Sequence, residues 1–530
     1  MRRVAAGAAA GIAGGAALVA AISVLSRIVG FGRQLVFQGT VSETTLGSVY
    51  QTANLLPNVA FEIVAGGALA SIVVPLLAGA AMRGDEDHVR AVTGALLGWV
   101  LALLIPVALL GVVLAGPVME LMLRGEGGPA GLEVGRRMLL IFLPQIPLYG
   151  LAVVSAGVLQ AHRRFLAAAF APISSSIVVV CAFLLFQATF AGDRDDLSTV
   201  TATDEWILAG GTTLGIVALA ATSVVPMLIK ITRATPTLRF PEGVARRAVT
   251  LGGAGLATLG AQQVAMVVAM LMANQEAPNG GFVTYVNSWL VYLLPHAVLA
   301  VPIAIATFPR LSEHAESDRA RYSATLAETT RAVLIVAAAG MAALIATAWP
   351  IARFFAALSQ ADDVPTERMA WALVAFAPGL LGYGLVAHLG RALFARHRSR
   401  AAAVATATGW LIAAGGGVLI ALQLPPERVV AGLGGAHAVG MTVAGILLIR
   451  AVVADSGRAA LAGVPRTLVF ALLGAVVGAG AGTAIAVALP TTGVVATVGV
   501  GVLAAVVAAG CVVASSSFGA RDDLRRVLRR

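Results

Sequence analysis

Two arginines, Arg27 and Arg33, stand inside a long apolar segment, Ser26-Arg-Ile-Val-Gly-Phe-Gly-Arg33, and the next apolar segment carries Asn58 and Glu62. An ionisable side chain at membrane depth costs several kcal/mol, so such residues face a bundle interior or a wet cavity and take part in function. Guanidinium is permanently charged and matches phosphate or carboxylate with a planar fork of donors. Counted from a span starting near Gly14, Arg27 lies roughly 20 Å into the membrane at ~1.5 Å per residue. Arg33 lies about 9 Å further on, turned ~120° around the axis. Together the two read as the lining of a cavity for an anionic ligand. The competing reading pairs Arg27 with Glu62 and lets Arg33 extend to the far interface. Glu62 itself is open to two roles, salt-bridge partner or proton carrier, because burial raises a carboxyl pKa and a nearby cation lowers it. Asn58, Gly66 and Gly67 suit a bent, closely packed helix, and Asn58 is also a candidate ligand contact.

Other polar residues in apolar surroundings read as packing. His296, His388 and His437 are singletons; Gln262, Gln263, Asn287 and Ser288 suit interhelical hydrogen bonds as well as a polar cavity. Cys181 and Cys511 have no metal-ligand spacing and read as buried, inert thiols. Gly415-Gly-Gly417 lies within an apolar run and reads as a helix contact. No nucleophile elbow, Walker A sequence or histidine-rich metal pattern occurs, so the chain is expected to be no enzyme and to need no cofactor or metal.

The elements that must position these residues follow from composition. Of 530 residues, 59% are hydrophobic and only 12% charged, which describes an all-α polytopic membrane protein. Long continuous apolar runs exclude a β-barrel, whose strands would alternate over short segments. About fourteen runs meet the ~20-residue length of a spanning helix. Their limits are near 9–37, 45–82, 89–122, 133–160, 166–191, 205–232, 246–275, 281–310, 331–357, 366–394, 400–423, 428–450, 465–489 and 492–517. Pro57, Pro106, Pro144, Pro147, Pro295 and Pro378 are expected to bend or break their helices.

The formal net charge of +10 comes from cations at the ends of apolar runs, where orientation and anionic headgroups explain them; nucleic acid is not an expected partner. Residues 1–30 resemble a signal peptide but read as an uncleaved first span. Placing the N-terminus inside collects most loop arginines, and the tail Arg521 to Arg530, on the cytoplasmic face, with Arg124, Arg136 and Arg137 as exceptions. An even span count then puts both termini in the cytoplasm. The residues around Pro309 to Arg331 read as an amphipathic connector.

An internal repeat is visible. Gly157-Val-Leu-Gln-Ala-His-Arg-Arg-Phe-Leu-Ala-Ala-Ala169 resembles Arg391-Ala-Leu-Phe-Ala-Arg-His-Arg-Ser-Arg-Ala-Ala-Ala403, and Pro57 with Val74-Pro-Leu-Leu77 is echoed by Pro295 with Phe308-Pro-Arg-Leu311. Both echoes lie about six spans apart. They divide the chain into two six-helix lobes, 1–233 and 234–455, followed by a helix pair with a basic tail at 456–530. Repeated lobes are how many transporters build a site near the midplane.

Ser26-Arg-Ile-Val-Gly-Phe-Gly-Arg33, Leu55-Leu-Pro-Asn58, Gly66-Gly-Ala-Leu69 and Val73-Val-Pro-Leu76 together resemble the first two spans of the MurJ/MviN family of the multidrug/oligosaccharidyl-lipid/polysaccharide exporter superfamily. Phe308-Pro-Arg-Leu-Ser312 and the Ala161-His-Arg-Arg-Phe165 loop are similar to it as well. The resemblance implies a V-shaped pair of lobes around a cationic cavity, with the last helix pair forming a groove for a lipid tail. It also implies a lipid II flippase of the bacterial inner membrane, moving undecaprenyl-pyrophosphate-linked muropeptide from the inner to the outer leaflet by alternating access. Arg27 and Arg33 match the family's first-span cavity arginines and would engage the pyrophosphate. Lipid II, membrane lipids and cell-wall synthesis proteins are the implied partners. The sequence departs from the family where an arginine pair is replaced by Phe61 and Glu62, and where an eighth-span arginine is replaced by Leu290. These departures leave open a flippase for another polyprenyl-linked glycan, a drug antiporter of the same superfamily, or a non-transporting cell-wall scaffold.

Overall fold

The computed structural model describes residues 22, 25–63, 70–124, 126–242, 244–359, 366–489 and 493–519, with backbone only at 70, 71, 246–256 and 519. Arg2, Arg3, residues 66–69, Asp362, Asp363 and the tail Arg521 to Arg530 lie outside these residues.

Among the described residues every regular element is helical. That is the expected solution for an apolar chain in lipid, because a helix satisfies its own backbone hydrogen bonds. Eleven helices are long and apolar enough to span a membrane, or twelve if the bent pair Thr366–Phe376 and Gly379–Ala395 is one span. These twelve coincide with the third to fourteenth spans read from the sequence. The first two expected spans fall partly on residues outside the description, so the eleven or twelve spans are a count among the described residues.

The chain divides into two compact units, residues 1–259 and 260–530. In the first, α1 is helical over 25–40 and is followed by α2 (Thr45–Phe61), α3 (Ala70–Arg83), α4 (Glu86–Met122), α5 (Gly128–Phe142), α6 (Gln145–Ala161) and α7 (Phe165–Thr189). The short α8 (Ala202–Glu205) passes through a π turn at Trp206–Gly210 into α9 (Gly211–Lys230). Helix α10 (Val244–Gln275) crosses the unit boundary. The second unit continues with α11 (Gly281–Pro295), α12 (Val301–Ser317), α13 (Arg319–Leu358), α14 (Thr366–Phe376), α15 (Gly379–Ala395), α16 (Ser399–Ala421), α17 (Val429–Ser456), α18 (Val464–Ala488) and α19 (Val494–Gly519).

The prolines act differently from one another. Pro144 and Pro378 sit at the N-caps of α6 and α15 and mark breaks, and Pro295 ends α11 before a π turn at His296–Ala300. Pro106 instead lies inside the uninterrupted 37-residue α4. The expected connector is split at Asp318, whose carboxylate accepts from the N–H groups of Arg321 and Ala320 at the start of α13. Those donors, Arg321 foremost, hold the Asp318 carboxyl below its ordinary range. The cap therefore persists through mildly acidic pH and is lost only as pH falls through that depressed value.

The internal repeat extends well beyond the matching letters. Helices α6 and α15 have the same 17-residue length, each follows a proline, and their ends are offset by 234 residues. At the same offset, the turns after them place Arg163 and His397 at φ +58 and +56. In both turns the following arginine N–H closes onto the helix, Arg164 to Leu159 O and Arg398 to Leu393 O, each at 2.8 Å.

Packing is by small residues and buried aliphatics. In the second unit α13 is the most enclosed helix, with 78% of its apolar window buried. Along α18, Gly474, Gly478 and Gly482 face α19; a Cβ at Gly478 would lie 2.4 Å from the Ala508 carbonyl oxygen, so only glycine permits this approach. Exposed side chains such as Leu103, Leu109 and Val113 on α4 and Val476 and Val495 on α18 and α19 would be unfavourable in water and are natural against lipid. Cys181, expected to be buried, is exposed on α7, because that apolar helix turns much of its surface outward. Cys511 is half-buried, and both thiols are free.

Candidate functional site

The first unit encloses a cavity of about 430 Å³ to which α1, α2, α6, α7 and α9 contribute. Helical spacing explains the contributions. On α1, Ser26, Gly30, Arg33 and Phe37 recur every three or four residues, and on α2 so do Tyr50, Asn54, Asn58 and Glu62. Such spacing places each set on one face.

Three of the four sequence candidates meet here. Arg33, Asn58 and Glu62 line the cavity. Arg27 is exposed on α1 and is not among the lining residues, as a helical rotation of ~120° from Arg33 requires. Among the described residues neither arginine forms an ion pair with Glu62. Arg33 is half-buried, close enough to Tyr50 and Tyr149 to act on both electrostatically. Glu62 is exposed, at the rim, where α2 loosens into a π turn.

The walls are held by hydrogen bonds between helices. Tyr149 Oη donates to Asn58 Oδ1 at 3.2 Å, and the Tyr149 ring lies 4.3 Å from that of Phe61. Tyr50 Oη lies 2.6 Å from Thr212 Oγ1, whose own proton goes to Leu208 O. Phe37, Tyr50 and Phe183 form a cluster with ring centroids 5.4 to 5.9 Å apart. Asn54 also lines the cavity, and its Oδ1 is buried with no donor among the described residues. Sequence reading did not single out Tyr50, Asn54, Tyr149 or Thr212. The recurring polar residues Tyr50, Asn54 and Asn58 along one apolar helix carried that signal for α2.

One end of the cavity helices is fastened by the acidic 193–196 loop. Arg194 donates to Thr40 O at 2.8 Å, and Asp195 Oδ1 accepts from both the backbone and the hydroxyl of Thr45 at 2.8 Å. Asp196 is held below its ordinary pKa by the Ser198 hydroxyl and N–H. Nearby, Arg137 grips the buried Glu205 at 2.6 Å and Arg136 pairs with Glu133 at 3.0 Å. Two of the three arginines that break the orientation pattern, Arg136 and Arg137, are thus neutralised locally.

The isolated histidines belong to the second unit. His437 Nε2 is 3.2 Å from Tyr292 Oη amid Trp289, Phe376 and Trp410, and His388 Nε2 is 3.0 Å from Thr329 Oγ1; both are buried. No group of three or more metal-ligating side chains occurs among the described residues. Leu290 lies half-buried on α11.

The family model for the lipid II flippase MurJ matches residues 40–511. The chain belongs to the MurJ family. It is thereby a multi-pass membrane transporter and not an enzyme. A MurJ-family relative from Burkholderia cenocepacia, named lipid II flippase MurJ, is 25% identical over 387 residues, covering 71% of this chain and 72% of the relative. A probable lipid II flippase MurJ from Rhizobium meliloti is 24% identical over 430 residues, covering 80% and 77%. Among solved structures, a lipid II flippase MurJ in an inward closed conformation gives a TM-score of 0.71 at 19% identity and covers 95% of this chain and 99% of that one. An inward-facing multidrug resistance transporter of the MATE family gives 0.66 at 14% identity, covering 81% and 95%. The structural likenesses establish a MurJ-type fold. The MurJ match includes Asn58 and Glu62, whereas Arg27 and Arg33 precede it.

Proposed function

We propose that this MurJ-family protein flips lipid II, the undecaprenyl-pyrophosphate-linked muropeptide, from the inner to the outer leaflet of the bacterial inner membrane by alternating access. The reading rests on Arg33, a half-buried guanidinium on the wall of a polar cavity with no carboxylate partner among the described residues. A half-buried charge within a membrane-spanning bundle is costly unless a ligand or trapped water offsets it. Pyrophosphate suits it, because guanidinium binds phosphate oxygens through two parallel charge-assisted hydrogen bonds. Asn58 Oδ1 is already oriented by Tyr149. Arg27, on the exposed side of the same helix, is assigned to the incoming headgroup before it reaches Arg33.

Both termini are taken as cytoplasmic. Residues 1–233 and 234–455 act as the repeated lobes, and 456–530 as an added helix pair with a basic tail. Cell-wall synthesis proteins are the expected further partners. The test is outer-leaflet exposure of lipid II in cells depleted of the native protein and supplied with wild type, Arg33→Ala or Arg27→Ala. Wild type alone should restore it; restoration by both variants would remove the arginines from the site.

A second reading is favoured by Phe61 and Glu62. With an aromatic and a carboxylate on the wall, the cavity also suits a polyprenyl-linked glycan with fewer anionic groups than lipid II. In vitro competition among polyprenyl-linked substrates separates the two.

A further inference from the structure

On its outer surface the first unit carries a second depression, of about 600 Å³, bordered by Ile22, Leu166, Phe170, Ala221 and Val225. Its walls are apolar, and two of its helices end in cations. Helix α7 starts immediately after Arg163 and Arg164, which are exposed. Helix α9 ends at Lys230, one turn past Pro226 on the groove wall.

The repeat shows what these cations lack. In the second unit the matching turn carries Arg396 and Arg398, and both donate to the buried carboxylate of Asp455 at 3.0 Å. In the first unit Arg163 and Arg164 form no ion pair or side-chain hydrogen bond among the described residues. One copy of the turn is thus neutralised from within. The other leaves two guanidinium groups free beside an apolar groove.

We infer that the groove between α7 and α9 is a binding site for an anionic membrane phospholipid, with an acyl chain along Leu166, Phe170 and Val225 and the phosphate on Arg163 and Arg164. The charge complementarity differs from that of the second unit, where Arg398, the counterpart of Arg164, is held by Asp455, and His397, the counterpart of Arg163, lies 3.4 Å from Glu316. A basic pocket at the end of spanning helices is a recognised arrangement for lipid headgroups. The site is separate from the Arg33 cavity and does not depend on what that cavity transports.

The test is native mass spectrometry of the full-length protein with phosphatidylglycerol and phosphatidylcholine of equal chain length. Wild type should retain phosphatidylglycerol preferentially. Each arginine near a membrane surface contributes about a fivefold preference for anionic lipid, so Arg163→Gln with Arg164→Gln should lower that preference roughly 25-fold. Arg90→Gln, an exposed cation elsewhere, should leave it intact. Ala221→Trp, which fills the groove, should release both lipids at this site. An unchanged preference in the double variant would overturn the proposal. So would displacement of phosphatidylglycerol by inorganic phosphate, since the groove would then contribute nothing.

Discussion

The Arg33 guanidinium, which shares a cavity wall with Tyr50 and Tyr149 and has no carboxylate among its described neighbours, presents a standing demand for an anion. Arg33→Ala should therefore abolish transport while leaving membrane insertion intact, as read by complementation and by membrane abundance. Arg33→Lys keeps the charge but loses the fork, and should retain only part of the activity. Glu62 is a different case. It sits exposed, without an ion pair among the described residues, so Glu62→Gln should alter transport by no more than about twofold; a loss of an order of magnitude would make it a proton carrier or ligand. At this scale the sequence was informative about charge and about the rotation between Arg27 and Arg33, but not about which of the two faces the cavity. Tyr149 and Thr212 reach the cavity from helices far away in the chain, and no local pattern announces such a meeting.

Between elements, the clearest energetic commitment in the first unit is Arg137 on α5 with Glu205 at the end of α8. Glu205 is 2% exposed while its partner is 40% exposed. Removing the arginine strands a buried carboxylate, which costs about 3–5 kcal/mol in a fully enclosed pair and roughly 2 kcal/mol after allowing for solvent around Arg137. Arg137→Ala should lower the thermal midpoint in detergent, and adding Glu205→Gln should recover part of the loss. No recovery would mean that Arg137 acts through its packing alone. Gly478→Leu should separate α18 from α19 and destabilise the protein, because the Ala508 carbonyl leaves no room for a side chain. Element boundaries were largely readable, since Pro144 and Pro378 start helices of equal length at a constant offset. Arg136 and Arg137 were read as violations of the orientation pattern; Arg136 pairs with Glu133 three residues away, whereas the main partner of Arg137, Glu205, is distant in sequence. Asp318 splits the expected connector because its side chain caps the next helix, a local signal that hydropathy alone passes over.

For the molecule as a whole, apolar content and run length dictated a helical membrane protein, and the motifs between Ser26 and Leu76 pointed to the MurJ family. Both follow from physics that acts along the chain: a span must be long, apolar and internally hydrogen-bonded. What Phe61, Glu62 and Leu290 do to the cargo does not follow in the same way, because it depends on which side chains share a cavity. The central claim is that the protein delivers lipid II to the outer leaflet through an arginine-bearing cavity. The measurement that tests it most directly is the fraction of lipid II accessible from outside in depleted cells supplied with wild type or Arg33→Ala. Wild type should restore accessibility and Arg33→Ala should not. Unchanged accessibility on verified depletion, in a host without a second flippase, would contradict it.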